Sequence, residues 1–390
     1  MAERVMPEVA GLARRGEAAP GEGPAAPQRA TPVPGGTPTP ARATAPALGG
    51  LPRLPPLWGA VAVGILLAAV AVGVMAGPVH VAPREVLAAL LSPPLGRDAA
   101  TSGPAAILWS LRFPRVVLAA LVGGMLASAG AAYQGVFRNP MADPYLLGAA
   151  AGAVLGATLA IVIVHGATVL GFSPAPVAAF LGAGAAVAAT YALGTSLGDS
   201  RGPTTLILAG VAVAAFLTAV QSYVQQAQSD SLRQVYSWIV GRLVTAGWDD
   251  VAGLLPYAAI GLGLILAHRR LLDALGVGDE EVATLGVSPR RVRLVVVIAA
   301  TICTAAAVSA AGAIGFVGII VPHTVRLLLG TSYRVVLPMS CLLGAAFLVL
   351  ADAAARTVTA PAELPVGVIT ALVGAPFFLF VMRSRRLRET

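Results

Sequence analysis

The sequence predicts an all-α, polytopic integral membrane protein with about ten transmembrane helices, and two properties of the chain support this prediction. Hydrophobic residues make up 57% of its 390 residues and charged residues 11%, well below the roughly 25% charged residues of soluble domains. Apolar runs of about 20 residues also recur along the chain, and a helix of that length crosses a hydrocarbon core about 30 Å thick. A water-soluble globular protein is therefore excluded.

Residues 1–56 precede the first apolar run and are rich in alanine, proline and glycine. A segment with so few large apolar groups cannot bury enough surface to offset the entropy of ordering. We expect these residues to form a disordered cytoplasmic tail. A transmembrane domain should follow over residues 57–382, and a basic cytoplasmic tail over residues 383–390.

The apolar runs define the candidate spans, whose interiors are crowded with small residues, as in VGGMLASAGAA and LGAGAAVAAT. Small residues allow helix backbones to approach closely in lipid. The eighth span is the weakest, because Pro322 interrupts it and Gly312 alone separates it from the seventh. The predicted spans are residues 57–77, 115–136, 146–165, 175–196, 204–226, 251–267, 294–311, 313–329, 337–355 and 366–382.

An even number of spans places both termini on the same side of the membrane. Arginine is concentrated in the segments on that side, including the C-terminal RSRRLRET. The positive-inside rule therefore predicts that both termini are cytoplasmic.

All 26 basic residues are arginine, because lysine is absent from the chain. An ATP-binding P-loop needs a lysine ammonium that reaches the β- and γ-phosphates. Cys303 and Cys341 lie within apolar runs and the four histidines are scattered singly, so neither a disulfide nor a bound metal is predicted. Any work driven by ATP and Mg²⁺ must come from a partner chain.

A polar segment from His268 to Arg293 separates the sixth and seventh predicted spans. In GDEEVATLG, Asp279 lies near the start of a predicted short helix, where a carboxylate suits the helix dipole, and Gly286 would end that helix. In SPRRVR, Ser288 is a candidate N-cap and Pro289 suits the first turn. The segment is predicted to form two short helices on the cytoplasmic face; a solvated loop that satisfies the positive-inside rule is the alternative.

Three long stretches carry a resemblance to a known family: one begins LRFPRVVLAALVGG at residue 111, one GAIGFVGIIVPH at residue 312, and one LADAAARTVTAP at residue 350. Together they resemble the FecCD-type permeases that import iron-siderophores, haem and vitamin B12, over about residues 55–385. The resemblance implies the type II fold of an ATP-binding-cassette importer permease in the bacterial inner membrane. It also implies a second permease copy forming a homodimer, two cytoplasmic ATPase subunits and an extracytoplasmic substrate-binding protein. No catalytic residue, cofactor or nucleic-acid partner is implied for this chain.

In the resembled family, the segment that corresponds to residues 268–293, hereafter the coupling segment, forms paired short helices that sit in a cleft of the ATPase. Arg138, Asn139 and Asp143, in the neighbouring FRNPMADPY turn, are expected to brace the same surface; a plain structural turn is the alternative. The resemblance implies ATPase contacts through Asp279, Glu280, Glu281, Ala283, Leu285, Gly286, Val287 and Pro289.

Three arginines are exceptions to the positive-inside rule, because they lie at the outer ends of the second and ninth spans: Arg112, Arg115 and Arg356. They could extend to lipid phosphates. The resemblance implies instead that they receive glutamates of the binding protein, and the guanidinium fork suits carboxylates. Asp352 precedes Arg356 by four residues on the same helix face and is predicted to orient it.

Two other classes of function remain open from the residues alone. A proton-coupled secondary transporter would use Asp352 and Glu363, because carboxylates within the membrane are functional candidates. An intramembrane enzyme is the third class, and it is the weakest because no Ser/His, Cys/His or paired-Asp arrangement is evident within the spans. The sequence does not identify the transported chelate. Candidate pathway or gate residues are Gly198, Gly202, Gln221, Tyr223 and Glu363.

Overall fold

A computed structural model of the chain describes residues 56–77, 81–91, 103–164, 173–196, 203–240, 243, 246–284, 286–360 and 362–389. Within those ranges the regular elements are helices, and no strand occurs among them. The all-α prediction is therefore confirmed for the described residues. The predicted N-terminal tail lies outside them, except for Pro56, which begins the first helix.

The helices follow one another along the chain with short connections. The α-helices are α1 Pro56–Met75, α2 Pro83–Leu91, α3 Gly103–Ile107, α4 Phe113–Val136, α5 Ala149–Val164, α6 Pro174–Ser196, α7 Pro203–Ala227, α8 Leu232–Val240, α9 Trp248–Ala267, α10 Arg269–Val277, α11 Asp279–Thr284, α12 Pro289–Ala311, α13 Val317–Leu329, α14 Tyr333–Thr357 and α15 Val366–Glu389. A π-helical turn spans Leu108–Arg112, and 3₁₀ turns span Pro144–Leu147 and Ser229–Ser231.

Seven segments of the described chain are helical, long and apolar enough to cross a membrane. They are α1, α6, α7, α9, α12, α14 and a continuous segment from Ala105 to Val136 that includes α4. Three shorter apolar helices lie in α5, α13 and α15. Together these segments match the ten predicted spans, so the prediction of about ten transmembrane helices is supported. The basic residues after Met382 extend α15 to Glu389.

The second span begins earlier than its hydropathy predicts, because the helix continues back through a π-helical turn. Pro114 lacks the N–H that would bond to the carbonyl of Ser110, and the chain widens into the π-turn just before this proline. Single π-turns of this kind often occur at functional sites. Arg112 and Arg115 flank the proline on either side.

The coupling segment contains two short helices, α10 and α11, and the second of these begins at Asp279 as predicted. The predicted helix over SPRRVR is not separate, because α12 runs without a break from Pro289 into the membrane. Ser288 occupies the N-cap position and Pro289 the first turn, so nothing in SPRRVR ends the helix before the apolar run begins. Gly286 adopts φ +74°, a left-handed conformation that ends α11.

The weakest predicted span, α13, is a helix despite Pro322. This proline cannot donate to the carbonyl of Gly318 one turn earlier. The side chain of Gln134, on α4, donates to that carbonyl from 3.0 Å and replaces the missing bond. A residue from a neighbouring span therefore satisfies the backbone group that Pro322 frees, as lipid surroundings require.

Helix α4 lies at the centre of the bundle, and most of its side chains are buried. It packs against α12, α13 and α14 through small residues. Gly123 faces the carbonyl of Gly344 on α14, and Gly130 faces the backbone of Gly318 on α13, so closely that a Cβ on either glycine would overlap that backbone. The predicted role of small residues in close helix packing is confirmed at these positions.

Candidate functional site

A group of charged side chains, hereafter the arginine cluster, lies where α4 begins and α14 ends. Arg115 donates to Asp352 from its Nε at 3.0 Å and from its Nη2 at 2.8 Å, and its Nη1 lies 2.9 Å from Glu363 Oε2. Arg356 Nε lies 3.1 Å from Asp352 Oδ2. The expected pairing of Asp352 with Arg356 is confirmed, and Arg115 is an additional partner. The arginine cluster consists of Arg112, Arg115, Asp352, Arg356 and Glu363.

Two members of the arginine cluster also bind the C-terminal end of α1. Arg356 donates to the carbonyl oxygens of Gly73 and Ala76, each at 2.9 Å. Arg112 donates to the carbonyls of Val74 at 2.8 Å and Met75 at 3.0 Å. The last carbonyls of a helix have no partner within the helix and carry partial negative charge, so cations are favoured there. The cluster therefore holds α1, α4 and α14 together.

The arginine cluster is largely buried within the single chain. The side chains of Arg115, Asp352 and Arg356 are 9%, 1% and 3% exposed, whereas that of Glu363 is 24% exposed. Buried charges are stable only when they are paired, and here each carboxylate contacts a guanidinium. Binding-protein docking through Arg112, Arg115 and Arg356 stays a prediction. Such docking would have to reach guanidiniums that already have acceptors inside the chain.

At the other end of α4, Asp279 of the coupling segment binds two arginines. Arg293 donates to both oxygens of this carboxylate, at 2.8 and 2.6 Å, and Arg138 approaches it to 2.5 Å. Arg138 also donates to the carbonyl of Leu275, at 2.7 Å, and so holds the coupling segment in place; that this surface faces an ATPase stays a prediction. The hydrogen bond from Arg293 lowers the pKa of Asp279. The Asp279 side chain is 47% exposed, so solvent weakens these ion pairs.

The other predicted ATPase contacts form a surface on the same segment. Glu280, Ala283 and Gly286 are exposed, and Val287 and Pro289 are half-buried. Leu285 lies outside the described residues, as does the side chain of Glu281. Exposure leaves the described residues accessible to a partner; their contact with an ATPase stays a prediction.

The predicted pathway residues do not form one cluster. Gln221 and Tyr223 lie on α7, where the Tyr223 side chain is 75% exposed. Glu363 instead belongs to the arginine cluster. Gly198 and Gly202 lie outside the described residues. The gate role of these residues stays a prediction.

In the part of the chain that the structure describes, no group of three or more His, Cys, Asp and Glu side chains could hold a metal ion. Cys303 and Cys341 are both free thiols.

Sequence reasoning missed two polar contacts that join different helices. Asp273, on α10, accepts hydrogen bonds from Ser332 Oγ at 2.9 Å and from the Tyr333 amide at 2.5 Å. Gln134, near the C-terminal end of α4, accepts from Arg326 in the last turn of α13. Ser332 could have been recognised as a helix N-cap from its position before α14. Nothing in the sequence indicates that its partner lies 59 residues earlier.

Comparisons with known proteins place the chain among membrane permeases. The profile of the FecCD transport family matches residues 65–384. A cobalamin import system permease of Halobacterium salinarum is 47% identical over 284 residues, which cover 72% of this chain and 74% of that protein. A hemin transport system permease of Yersinia pestis is 40% identical over 290 residues, covering 72% and 85% of the two chains. An iron(3+)-hydroxamate import system permease of Bacillus subtilis is 38% identical over 280 residues, covering 72% of each chain.

Comparison with solved structures also identifies the fold as that of an ABC transporter permease. A metal-chelate type ABC transporter in an inward-facing conformation superposes with a TM-score of 0.73 and 25% sequence identity. The match covers 85% of this chain and 100% of the other. The predicted resemblance and the predicted type II importer fold are therefore confirmed, and the proton-coupled alternative is not favoured.

Proposed function

Because the chain belongs to the FecCD transport family and is the membrane-spanning permease subunit of an ABC importer, we propose that it conducts an intact metal chelate, with cobalamin as the first candidate. The observation that carries the proposal is the 47% identity to a cobalamin permease over 284 residues. Relatives that carry haem or ferric hydroxamate share the fold at lower identity, so these chelates are the alternatives to be tested.

The proposed assembly contains two copies of this chain, two ATPase subunits and a substrate-binding protein. The missing lysine supports a separate ATPase, since the chain has no P-loop that could bind ATP and Mg²⁺. The second copy is proposed because a two-fold dimer would place the same helices on both walls of a pathway between the two chains. Both termini and the coupling segment would lie in the cytosol, and the arginine cluster would face the binding protein on the other side.

In this arrangement the chain performs no chemistry. ATP binding would draw the ATPase subunits together, and their movement would enter the permease through the coupling segment. A rigid pair of short helices such as α10 and α11 can transmit such a movement to the spans that the pair connects.

The test is reconstitution of the permease with its ATPase and binding protein in liposomes that contain ATP on the ATPase side. We expect uptake of radiolabelled cyanocobalamin that is sensitive to vanadate and unaffected by a protonophore. Ferric hydroxamate and hemin are measured in parallel, and preferential uptake of either would replace cobalamin as the cargo. Accumulation of any chelate by the permease alone would contradict the proposal.

Replacing Gly286 with valine should uncouple ATP hydrolysis from transport. A β-branched residue at φ +74° is strained by about 1–2 kcal/mol, so the turn between α11 and α12 would change shape. We expect hydrolysis to continue while chelate uptake per ATP falls about tenfold, the factor that corresponds to about 1.4 kcal/mol. The measurement is the ratio of uptake to phosphate release in liposomes.

Gly276→Val is the matched control for this variant. Gly276 also lies in the coupling segment, and a Cβ at this position would meet nothing within 4 Å, but its φ is not positive. Equal ratios for the two variants would mean that the left-handed turn at Gly286 has no role in coupling.

A further inference from the structure

The N-terminal end of α14 is capped by Asp273 of the coupling segment rather than by a residue next to the helix in sequence. Ser332 occupies the N-cap position but makes no side-chain cap hydrogen bond within the helix. Its hydroxyl donates instead to Asp273 Oδ2, and the Tyr333 amide donates to Asp273 Oδ1. A carboxylate suits this position, because the first amides of a helix are unpaired and carry partial positive charge. Asp273 therefore joins α10 to α14 directly.

The other end of the same helix lies in the arginine cluster. From Tyr333 to Asp352, α14 rises about 30 Å at 1.5 Å per residue, which is roughly the thickness of the hydrocarbon core. At that end Asp352 holds Arg115 of α4, and Arg356 holds the carbonyls of α1. Polar contacts thus fix α14 at both of its ends.

Between its two ends α14 packs closely against α4. Gly344 of α14 and Gly123 of α4 bring the two backbones into direct contact. The far end of α4 is followed by Arg138, which binds the coupling segment at Leu275 and Asp279. The two helices therefore form one unit that has polar bonds to the coupling segment at one end and to the arginine cluster at the other.

We propose that Asp273 is a positioning residue that carries movement of the coupling segment into α14 and so to the arginine cluster. This inference rests on the proposed function, in which the two ends of α14 face an ATPase and a binding protein. A rigid helix that is bonded at both ends transmits displacement, whereas a helix without its cap could lag behind the coupling segment.

Asp273 suits this role better than Asp279 because it is more protected from water. The side chain of Asp273 is 17% exposed and that of Asp279 is 47% exposed. Exposed ion pairs compete with solvent and contribute little, whereas charge-assisted hydrogen bonds away from water are short and strong. Arg334, in the first turn of α14, adds a positive charge to these hydrogen bonds, since its Nε lies 3.7 Å from Asp273 Oδ2.

The experiment compares Asp273→Asn with wild type in liposomes that contain the full permease and its ATPase, with the binding protein added. We expect basal ATP hydrolysis within about twofold of wild type and at least about tenfold less stimulation by the binding protein, the loss typical of one charge-assisted hydrogen bond. Asp249→Asn, which changes an exposed carboxylate in the first turn of α9, at the end of that helix away from the coupling segment, is the control for basal hydrolysis and should match wild type.

A second pair of variants keeps the inference testable if Asp273→Asn does not fold. Ser332→Ala removes the hydroxyl that donates to Asp273, and Ser332→Thr retains it. We expect stimulation to fall in the alanine variant and to return in the threonine variant. A purely structural role would instead lower the yield and the basal rate together with the stimulated rate.

The outcomes separate this inference from the proposed function. Wild-type stimulation in Asp273→Asn, or equal stimulation in the two Ser332 variants, would overturn the positioning role. Loss of ATPase copurification in Asp273→Asn would also overturn it, since Asp273 would then be a docking contact. If the wild-type permease shows no ATP hydrolysis stimulated by the binding protein, the proposed function itself fails.

Discussion

Replacing Gly130 with valine should abolish accumulation of folded permease. A Cβ at this position of α4 would overlap the carbonyl of Gly318 and lie 2.5 Å from its Cα, on α13. That carbonyl cannot readily move away, because it also accepts the hydrogen bond from Gln134 that replaces the one lost at Pro322. Overpacking in a core usually costs about 1–3 kcal/mol, and a clash between two backbones should lie at or above the upper end.

The measurement is the yield of monodisperse protein on size exclusion in detergent, followed by thermal unfolding. Gly64→Val is the control, because a Cβ at Gly64, on α1, would meet nothing within 4 Å. Similar yields for the Gly130 and Gly64 variants would show that the contact between α4 and α13 can relax.

Replacing Asp352 with alanine should destabilise the protein by about 3–5 kcal/mol, the usual cost of removing one partner of a buried ion pair. The carboxylate is 1% exposed and contacts Arg115 and Arg356 together. Without it, the two guanidiniums would remain close to one another in a site from which water is largely excluded. The expected result is a markedly lower thermal midpoint in detergent.

Asp249→Ala, which removes an exposed carboxylate in the first turn of α9, is the control and should shift the midpoint little. A double-mutant cycle with Arg115→Ala isolates the pair. The double variant should be more stable than the sum of the two single effects implies, because it removes both charges. Strict additivity would mean that Arg115 and Asp352 do not stabilise one another.

The transmembrane helices were predictable because hydropathy depends on composition rather than on tertiary contacts. The ends of the helices were less predictable, since hydropathy marks the lipid-facing part and helices continue beyond it. The second span thus starts before Arg115, and α12 starts at Pro289 although the apolar run begins at residue 294. Local chemistry did identify Ser288 and Gly286, because a helix start and a left-handed turn depend on adjacent residues.

Among the polar contacts, too, those between residues close in sequence were predictable and those between distant helices were not. The pairing of Asp352 with Arg356 follows from a spacing of four residues on one helix. Arg115 joins that pair from 237 residues away, and Asp273 reaches Ser332 across 59 residues. Such pairings depend on how the helices pack, and no periodicity in the sequence indicates them. The comparisons identified the family and the fold, but the residues that join the helices became evident from the structure.

The arginine cluster fastens α1, α4 and α14 together at one end of the bundle. Arg115 receives the carboxylate of Asp352 from 237 residues later in the chain, so this guanidinium is paired only once α14 has been synthesised and inserted. A chain that stopped before α14 would leave the buried charge of Arg115 without that carboxylate, and an uncompensated buried charge is strongly destabilising.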